Sequence, residues 1–265
     1  MNWLVQNNLI KEEVTGAFEG ACAELGHTFI GCKIVPFTDS VEYGFYPGWK
    51  PPTGKFIPYG STSMIKMLDK ANLPNCFLFF DYQSLKTTEW INRLGDKILN
   101  CDAKLMTLKE AMNLQSGTYF MKPDDDLKDF TGSIVDAEGI KKFYDEVSAG
   151  GFCFSPNINV ILSSVKNTGF EYRFFMIEDR IVDCSSYKIR SIIDIREPVP
   201  QEAKDFAVKV AKQWRPDDVY VMDLVDVGGE FKIVEFNCFN ASGFYNCSVK
   251  KIVDEVSQFV EETYT

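Results

Sequence analysis

Two polar residues interrupt an apolar strand pattern in the stretch FKIVEFNCFN, which begins at Phe231. Glu235 and Asn237 are two residues apart, so in a strand both side chains would point to the same face as Ile233 and Phe239. Burying a carboxylate and an amide on an apolar face without partners is costly. Either this face is solvated or the two residues bind a ligand.

A third oxygen-bearing residue, Asp223, lies on the preceding strand of a predicted hairpin that turns near Gly228–Gly229. Carboxylate and amide oxygens, completed by water and phosphate oxygens, are typical Mg²⁺ ligands. A two-residue turn would pair Asp223 with Val234 and place it on the face opposite Glu235. A three-residue loop or an equivalent bulge would pair Asp223 with Glu235 instead. The metal hypothesis therefore predicts such a loop or bulge, and its alternative is a solvated strand face.

A lysine and a glycine-containing loop stand together in TYFMKPDDDLKDFTGS. Lys122 ends a predicted strand and can reach phosphate oxygens as a point charge. Backbone N–H groups near Thr131–Gly132–Ser133 can close over the same phosphates. The chain contains no GxxxxGK[ST] sequence, so this is not a P-loop. The alternative is a strand-end lysine that is simply solvated.

Four charged residues share faces of a second predicted hairpin, which contains GFEYRFF and SSYKIR. Glu171 and Arg173 point to one side of its first strand, and Lys188 and Arg190 point to one side of its second strand. They could form a surface ladder of ion pairs, which contributes little to stability. The aromatic residues beside them indicate that the other face is buried, which favours a functional interpretation.

The composition limits the classes of function. The 265 residues carry a formal charge of −10, which disfavours binding to nucleic acid or to anionic membranes. No run is long and apolar enough to span a membrane, and the N-terminus lacks signal-peptide features, so we expect a cytoplasmic protein. Eight cysteines without a C-x-x-C pair argue against a zinc site or a disulfide framework. The single histidine, His27, has low weight as a base, so carboxylates, amides, lysines and arginines must supply the chemistry.

The elements that would position these residues fall into three parts. Residues 1–100 alternate strands and helices, residues 101–166 surround the Lys122 loop, and residues 167–265 contain both hairpins. Besides the hairpins, the predicted strands are NWLVQ, TFIGCKIVPF, NCFLFFDY, TYFMKP and INVILSSV. The predicted helices are EEVTGAFEGACAEL, LMTLKEAMNL, DAEGIKKFYDEV, the amphipathic segment from Glu202 to Trp214, and a closing helix that contains Val249 and Val256.

The order of these motifs resembles the ATP-grasp family. A strand-end lysine with a glycine loop is followed by G-x-E-x-R, a lysine, and D…E-x-N on a hairpin, over residues 101–245. The chain looks most like the clade named for two conserved arginines and one lysine, often encoded by phages and bacteria. The resemblance implies an α/β fold in three parts. These are an N-terminal α/β pre-ATP-grasp domain (1–100), a small α+β lid subdomain (101–166), and a C-terminal antiparallel-sheet subdomain with the metal site (167–265).

The resemblance also implies roles in binding ATP. Lys122 and Lys188 would contact the phosphates, and the loop from Asp124 to Ser133 would cover them. Glu171 would bind the ribose hydroxyls. The backbone of the hinge would read adenine, with Leu162, Ser163, Ser164 and Val165 as its residues.

The metal and the reaction would involve a second set of residues. Mg²⁺ would be held by Asp223, Glu235 and Asn237. The clade arginines would be Arg173 and Arg190, which with Lys188 are the expected catalytic residues. Two features depart from the family. Val221 stands where many members carry an arginine, and Ser163–Ser164 stand where the hinge usually carries a glutamate.

Members of this family mostly activate a carboxylate as an acylphosphate and join it to an amine. The resemblance therefore implies a Mg²⁺-dependent, ADP-forming ligase whose partners are ATP, a small-molecule, peptide or protein carboxylate, and an amine. Ser242 and Gly243, directly after the metal strand, are expected to form part of the acceptor wall. Two alternatives stay open: a phosphotransferase with a hydroxyl acceptor, and a nucleotide-binding module without turnover.

Overall fold

The chain folds around three β-sheets. The structure is a computed structural model, and it describes residues 1–35, 44–45, 49–125, 129–152, 154–189 and 192–264. Each sheet is built from one continuous part of the chain, and helices cover their faces. The α/β character and the antiparallel C-terminal sheet expected from the sequence are both present. The three-part domain division stays a prediction.

The N-terminal sheet is parallel and has the order β2-β1-β3. Its strands are β1 (Asn2–Gln6), β2 (Thr28–Cys32) and β3 (Phe56–Tyr59). Helix α1 (Glu12–Leu25) connects β1 to β2, as parallel pairing requires a crossover. Helices α2 (Thr62–Ala71) and α3 (Thr87–Leu94) follow β3.

The strand predicted for NCFLFFDY is wrong. Apart from an isolated bridge between Phe56 and Cys76, this extended segment joins no strand ladder among the described residues. The Asn240 side chain takes the place of a neighbouring strand. Its Oδ1 accepts from the Phe79 N–H at 2.8 Å, and its Nδ2 donates to the Phe77 carbonyl at 3.2 Å. A buried amide can thus satisfy an extended backbone that reads as a strand in the sequence.

The second sheet is antiparallel, with the order β4-β7-β5-β6. Its strands are β4 (Lys104–Thr107), β5 (Thr118–Pro123), β6 (Ser133–Asp136) and β7 (Asn159–Ser163), and its helices are α4 (Leu108–Ala111) and α5 (Ala137–Ser148). The helix predicted for LMTLKEAMNL is too long. Leu105 to Thr107 belong to β4, because Thr107 and Glu110 form a capping box that starts the helix after Thr107.

The third sheet is antiparallel and has the order β10-β9-β8-β11-β12. The strands are β8 (Phe170–Ile177), β9 (Arg180–Ile189), β10 (Ile192–Ile193), β11 (Val219–Val227) and β12 (Glu230–Cys238), and the helices are α6 (Gln201–Gln213) and α7 (Val249–Thr263). Both predicted hairpins, the Glu202 helix and the closing helix are therefore confirmed.

The two faces of the third sheet are both buried against the N-terminal part of the chain. On one face, Trp3 and Phe18 share a core cluster with Phe175 and Phe239. On the other face, α3 and α6 share a cluster with β8 and β11. The second sheet has a core of its own. The site residues lie where the first face of the third sheet extends beyond its core.

Two sequence-based expectations concern the whole chain. No helix among the described residues is long and apolar enough to cross a membrane. The cysteines in the described part of the chain are free thiols, and several of them are buried.

Candidate functional site

A bulge brings the two candidate metal carboxylates onto one face. The β11–β12 hairpin has a two-residue turn, Gly228–Gly229, whose residues have φ values of 64° and 92°. That turn alone would put Asp223 opposite Val234. The register shifts between Asp223 and Leu224, so that Asp223 pairs with Glu235. The bulge that the metal hypothesis required is present.

Arg173 holds Asp223 in a buried ion pair. Strand β8 lies beside β11, and Arg173 is the direct partner of Asp223 in that pairing. The guanidinium donates from Nε to Asp223 Oδ1 at 2.8 Å and from Nη2 to Asp223 Oδ2 at 2.6 Å. The Arg173 side chain is 7% exposed and that of Asp223 is 0% exposed. Bidentate pairing of this kind fixes both side chains.

Burial and neighbouring charge act against each other at this pair. Burial raises the pKa of Asp223 to about 6, although Arg173 lowers it, and the charge of Glu235 raises it further. For Arg173, burial alone would lower the pKa, but the carboxylate of Asp223 more than offsets this and raises the pKa above its usual value. The Asp223 carboxylate is therefore under the opposing influence of the Arg173 guanidinium and the Glu235 carboxylate.

Asn237 completes the group. Its Nδ2 donates to Asp223 Oδ2 at 3.2 Å and to Glu235 Oε1 at 3.3 Å, so the three side chains converge at one place. Within the described residues, no cluster of three or more His, Cys, Asp or Glu side chains could hold a metal ion. The set here has two carboxylates and one amide, donor types that fit Mg²⁺ because that ion usually keeps several waters and phosphate oxygens as ligands. To hold the ion, Asn237 would have to turn its oxygen toward the carboxylates, and Asp223 would have to share its oxygens with Arg173.

A second buried carboxylate, Glu171, lies on the same face of β8. Its Oε2 accepts from Lys188 Nζ at 2.9 Å and from the Tyr187 hydroxyl at 2.5 Å. Burial, reinforced by the charges of Asp223 and Glu171, raises the pKa of Tyr187 above its usual range, so its phenol remains a donor. The Tyr187 ring lies beside the Arg173 guanidinium, 5.2 Å from centroid to Cζ.

Lys122 lies at the end of β5 against an aromatic ring. Its Nζ is 4.8 Å from the centroid of Trp90 on α3. Gly132 approaches from the following loop, and a Cβ on this residue would be 2.8 Å from Phe120 Cζ and 3.1 Å from Lys122 Cβ. Only glycine allows the loop to come this close to the lysine.

Some of these groups line one cleft between the second and third sheets, with a volume of about 580 Å³, whereas Arg173, Asp223 and Asn237 are buried and do not line it. The second sheet and its loop contribute Lys122, Thr131, Gly132, Ser133, Ser164 and Val165, and the third sheet contributes Glu171, Lys188 and Glu235. A smaller cavity of about 210 Å³ shares Lys122, Gly132 and Glu235 with it and is also lined by Trp90. A volume of this size suits a nucleotide.

The sequence matches a family model over residues 53–256. The model describes an ATP-grasp domain, family 3 of the clade named for two arginines and one lysine. The chain belongs to this ATP-grasp family. A comparison with curated protein sequences gives no significant match.

Three solved structures illustrate how widely the ATP-grasp fold of this chain is shared. The RimK domain ATP-grasp protein of Sphaerobacter thermophilus has a TM-score of 0.62 at 11% identity, covering 98% of this chain and 100% of that chain. D-alanine–D-alanine ligase of Bacillus anthracis with ATP has a TM-score of 0.59 at 11% identity, covering 100% of both chains. The ATP-grasp ligase PsnB, complexed with a minimal precursor, Mg and ADP, has a TM-score of 0.52 at 12% identity, covering 99% of this chain and 98% of that chain.

The ATP-grasp hinge predicted at Leu162 to Val165 divides in the structure. Ser164 and Val165 line the cleft. Leu162 and Ser163 are buried in β7 behind it, and the Ser163 hydroxyl donates to Asn100 Oδ1 at 3.0 Å. These two residues support the hinge, and their contact with a base stays a prediction.

Two further predicted residues of this ATP-grasp protein, Ser242 and Gly243, lie beyond the end of β12. Gly243 accepts a hydrogen bond from Arg173 through its carbonyl at 3.0 Å. The Ser242 hydroxyl is buried and donates to the Cys238 carbonyl at 2.7 Å, so Ser242 offers no side-chain group to an acceptor. Arg190 and residues 126–128 of the phosphate-covering loop lie outside the described residues.

Sequence reasoning missed three residues that shape the site. Trp90, Tyr187 and Asn100 contact Lys122, Glu171 and Ser163 respectively. Tyr187 precedes Lys188 in the motif SSYKIR, which was the one signal available for it. Trp90 and Asn100 come from segments without a chemical motif, and only the packing of the chain brings them to the cleft.

Proposed function

We propose that this ATP-grasp protein is an ADP-forming, Mg²⁺-dependent ligase that joins a carboxylate to an amine. The observation that carries the proposal is the single cleft that collects two lysines, a glycine loop, Glu171 and Glu235 of the Asp223–Glu235–Asn237 group. Its volume admits a nucleotide that lies with the base at the hinge and the phosphates near Lys122. The ligase activities of the similar structures support the reaction class.

In this proposal each end of ATP has its own partners. The base lies beside Val165 at the hinge. The ribose hydroxyls contact Glu171, whose second oxygen remains for them while Oε2 is bound by Lys188 and Tyr187. Lys122, Lys188 and the backbone of residues 131–133 bind the phosphates. Asp223, Glu235 and Asn237 would hold Mg²⁺, which when bound neutralises phosphate charge.

The reaction proceeds in two transfers. A carboxylate oxygen of the first substrate attacks the γ-phosphorus, the bond from that phosphorus to the β–γ bridging oxygen breaks, and ADP leaves. The amine nitrogen then attacks the acyl carbon, the carbon–oxygen bond to phosphate breaks, and the amine loses a proton to solvent. Arg173 and the lysines stabilise the charge that spreads over the transferring phosphoryl group. The glycine loop excludes water from the acylphosphate.

In this proposal the carboxylate substrate enters at the Arg173 end of the site. Arg173 Cζ lies 4.9 Å from the exposed ring of Tyr245, and its carbonyl partner Gly243 is exposed. PsnB is described with a precursor peptide, which supports a peptide or protein carboxylate as one substrate class for this chain.

The proposal is tested by measuring ADP, phosphate and product from the purified protein with ATP, Mg²⁺ and a panel of carboxylates and amines. The ligase predicts ADP and free phosphate only when both substrates are present, and an amide of matching mass. A phosphorylated acceptor without amide would instead establish a phosphotransferase. ATP binding without ADP formation under every mixture would establish a module without turnover.

The glutamate variants provide the matched control. Glu235→Gln is expected to abolish turnover and keep the fold, because Glu235 loses its charge at the cleft surface. Glu230→Gln changes an acid on the same hairpin that is 80% exposed and should leave turnover unchanged. Loss of folding in Glu235→Gln would mean that Glu235 is structural.

A further inference from the structure

Two short segments connect the second sheet to the rest of the molecule. Residues 99–103 lead from the N-terminal part into β4, and residues 164–169 lead from β7 into β8. The second segment begins with Ser164 and Val165 of the predicted hinge, and it lines the cleft through these two residues and Lys166. Because both connections lie side by side, contacts between them determine how the hinge is presented to a nucleotide.

The contacts between the two connections involve both polar main-chain groups of Ser164. The Ser164 N–H donates to Asp102 Oδ2 at 3.0 Å. Lys166 Nζ donates to the Ser164 carbonyl at 3.1 Å and also binds Asp102 Oδ1. We call Asp102, Ser164 and Lys166 the hinge clamp. A parallel contact joins Asn100 to Ser163 one residue earlier.

The clamp is charged under ordinary conditions. Partial burial alone would raise the pKa of Asp102, but hydrogen bonds from Lys166 and Ser164 outweigh it and lower the pKa to about 2. The ion pair between Asp102 and Lys166 is therefore intact at neutral pH. Charge-assisted hydrogen bonds of this kind are stronger than neutral ones and restrain the backbone to which they bind.

We propose that Asp102 and Lys166 are positioning residues for nucleotide recognition. The clamp binds both main-chain groups of Ser164 and thereby holds the following backbone in an extended conformation. The main-chain groups of Val165 and Lys166 can then form hydrogen bonds with the edge of the base. This inference rests on the proposed use of the cleft for ATP.

The physical basis is the entropy of the hinge. Residues 164–169 belong to no strand or helix; the clamp orders the start of the segment, and the Gly169 N–H, which donates to the Asp226 carbonyl at 2.8 Å, orders its end. A nucleotide that bound to an unordered hinge would have to order it, and this entropic cost would lower the affinity. It would also reduce the difference in affinity between nucleotides with different bases. The phosphates and the reacting atoms lie at the other end of the cleft, so the rate of the chemical step should change little.

The test compares nucleotide binding by variants of the clamp. Asp102→Ala and Lys166→Met should each raise the Kd for MgATP by about tenfold, the factor expected for one charge-assisted hydrogen bond. Both should reduce the preference for ATP over GTP and leave kcat within about twofold of the wild-type value. Asp102→Asn, which keeps an acceptor for the Ser164 N–H, should fall between the wild type and Asp102→Ala.

Asp96→Ala is the matched control, because Asp96 is an exposed acid on the same approach to β4. Lys232 binds its carbonyl, which the substitution keeps. This variant should bind ATP like the wild type. Unchanged ATP affinity and unchanged base preference in both clamp variants would overturn the proposal, as would a fall in kcat at constant Kd. If the wild type itself bound no nucleotide, the proposed function would fail first, and the clamp proposal with it.

Discussion

Replacing Asp223 by asparagine should destabilise the protein as well as stop turnover. The Arg173 side chain is only 7% exposed; two of its hydrogen bonds go to Asp223 and another goes to the Gly243 carbonyl. Asp223→Asn removes the countercharge and leaves the buried arginine poorly compensated. Removing one partner of a buried ion pair costs about 3 kcal/mol or more.

That free energy converts into a measurable shift in melting temperature. For a protein of this size each kcal/mol changes the Tm by about 2–4 °C, so a loss of about 3 kcal/mol should lower the Tm by about 6–12 °C. Thermal unfolding followed by circular dichroism measures the shift. The double variant Arg173→Met with Asp223→Asn removes both charges, and its Tm should recover most of the loss because an uncharged pair needs no compensation.

The double variant separates the two roles of Asp223. Its turnover should stay absent although its stability returns, since both the arginine and the metal donor are gone. A Tm for Asp223→Asn within about 2 °C of the wild-type value would refute the reasoning, on the size-scaled conversion above. A double variant no more stable than Asp223→Asn would show that uncompensated charge is not the cause.

Three further results are expected. Lys122→Ala should weaken ATP binding by at least about tenfold, as measured by calorimetry, because a charged phosphate partner is lost; unchanged affinity would rule out its assigned role. Gly132→Ala should weaken ATP binding with little change in Tm, since the added methyl group would push the loop from Lys122, whereas Gly20→Ala, which meets no atom within 4 Å, should leave binding unchanged. Asp217 has a pKa raised from 3.8 to about 7, by burial first and then by the charges of nearby aspartates. Its folded-state pKa lies above the unfolded one, so the contribution of Asp217 to stability should fall as pH rises from about 4 to 7. Asp217→Asn should therefore melt higher than the wild type at pH 8 and lose that advantage near pH 4; an equal advantage at both pH values would contradict the assignment.

The sequence predicted the family and most of the elements, because these depend on local patterns. The alternation in β11 and β12 and the helical spacing of α6 are properties of short segments. The metal hypothesis even required the bulge. The position of the bulge was not predictable, because Gly228–Gly229 form a regular two-residue hairpin turn and Val234 is an ordinary strand residue.

The contacts that tie the site together are long-range, and for that reason the sequence did not reveal them. Arg173 meets Asp223 only because two separate hairpins pair through β8 and β11. Trp90 supports Lys122 from a helix in another part of the chain. The segment NCFLFFDY was misassigned because its apolar composition gives no hint that the Asn240 side chain satisfies its backbone.

The boundaries of the family and those of the folding unit do not coincide. The family match begins at residue 53, yet Trp3 and Phe18 are fully buried in the same cluster as Phe175 and Phe239. Trp3 also donates from its indole nitrogen to Ser257 on the last helix at 3.0 Å. A protein shortened to residues 53–256 would keep every residue assigned to the site. It would still expose the part of the sheet face beside Arg173 and Asp223 that packs against Trp3 and Phe18. A protein cut at the limits of the family match should therefore be insoluble, whereas the intact chain covers this surface and retains the site.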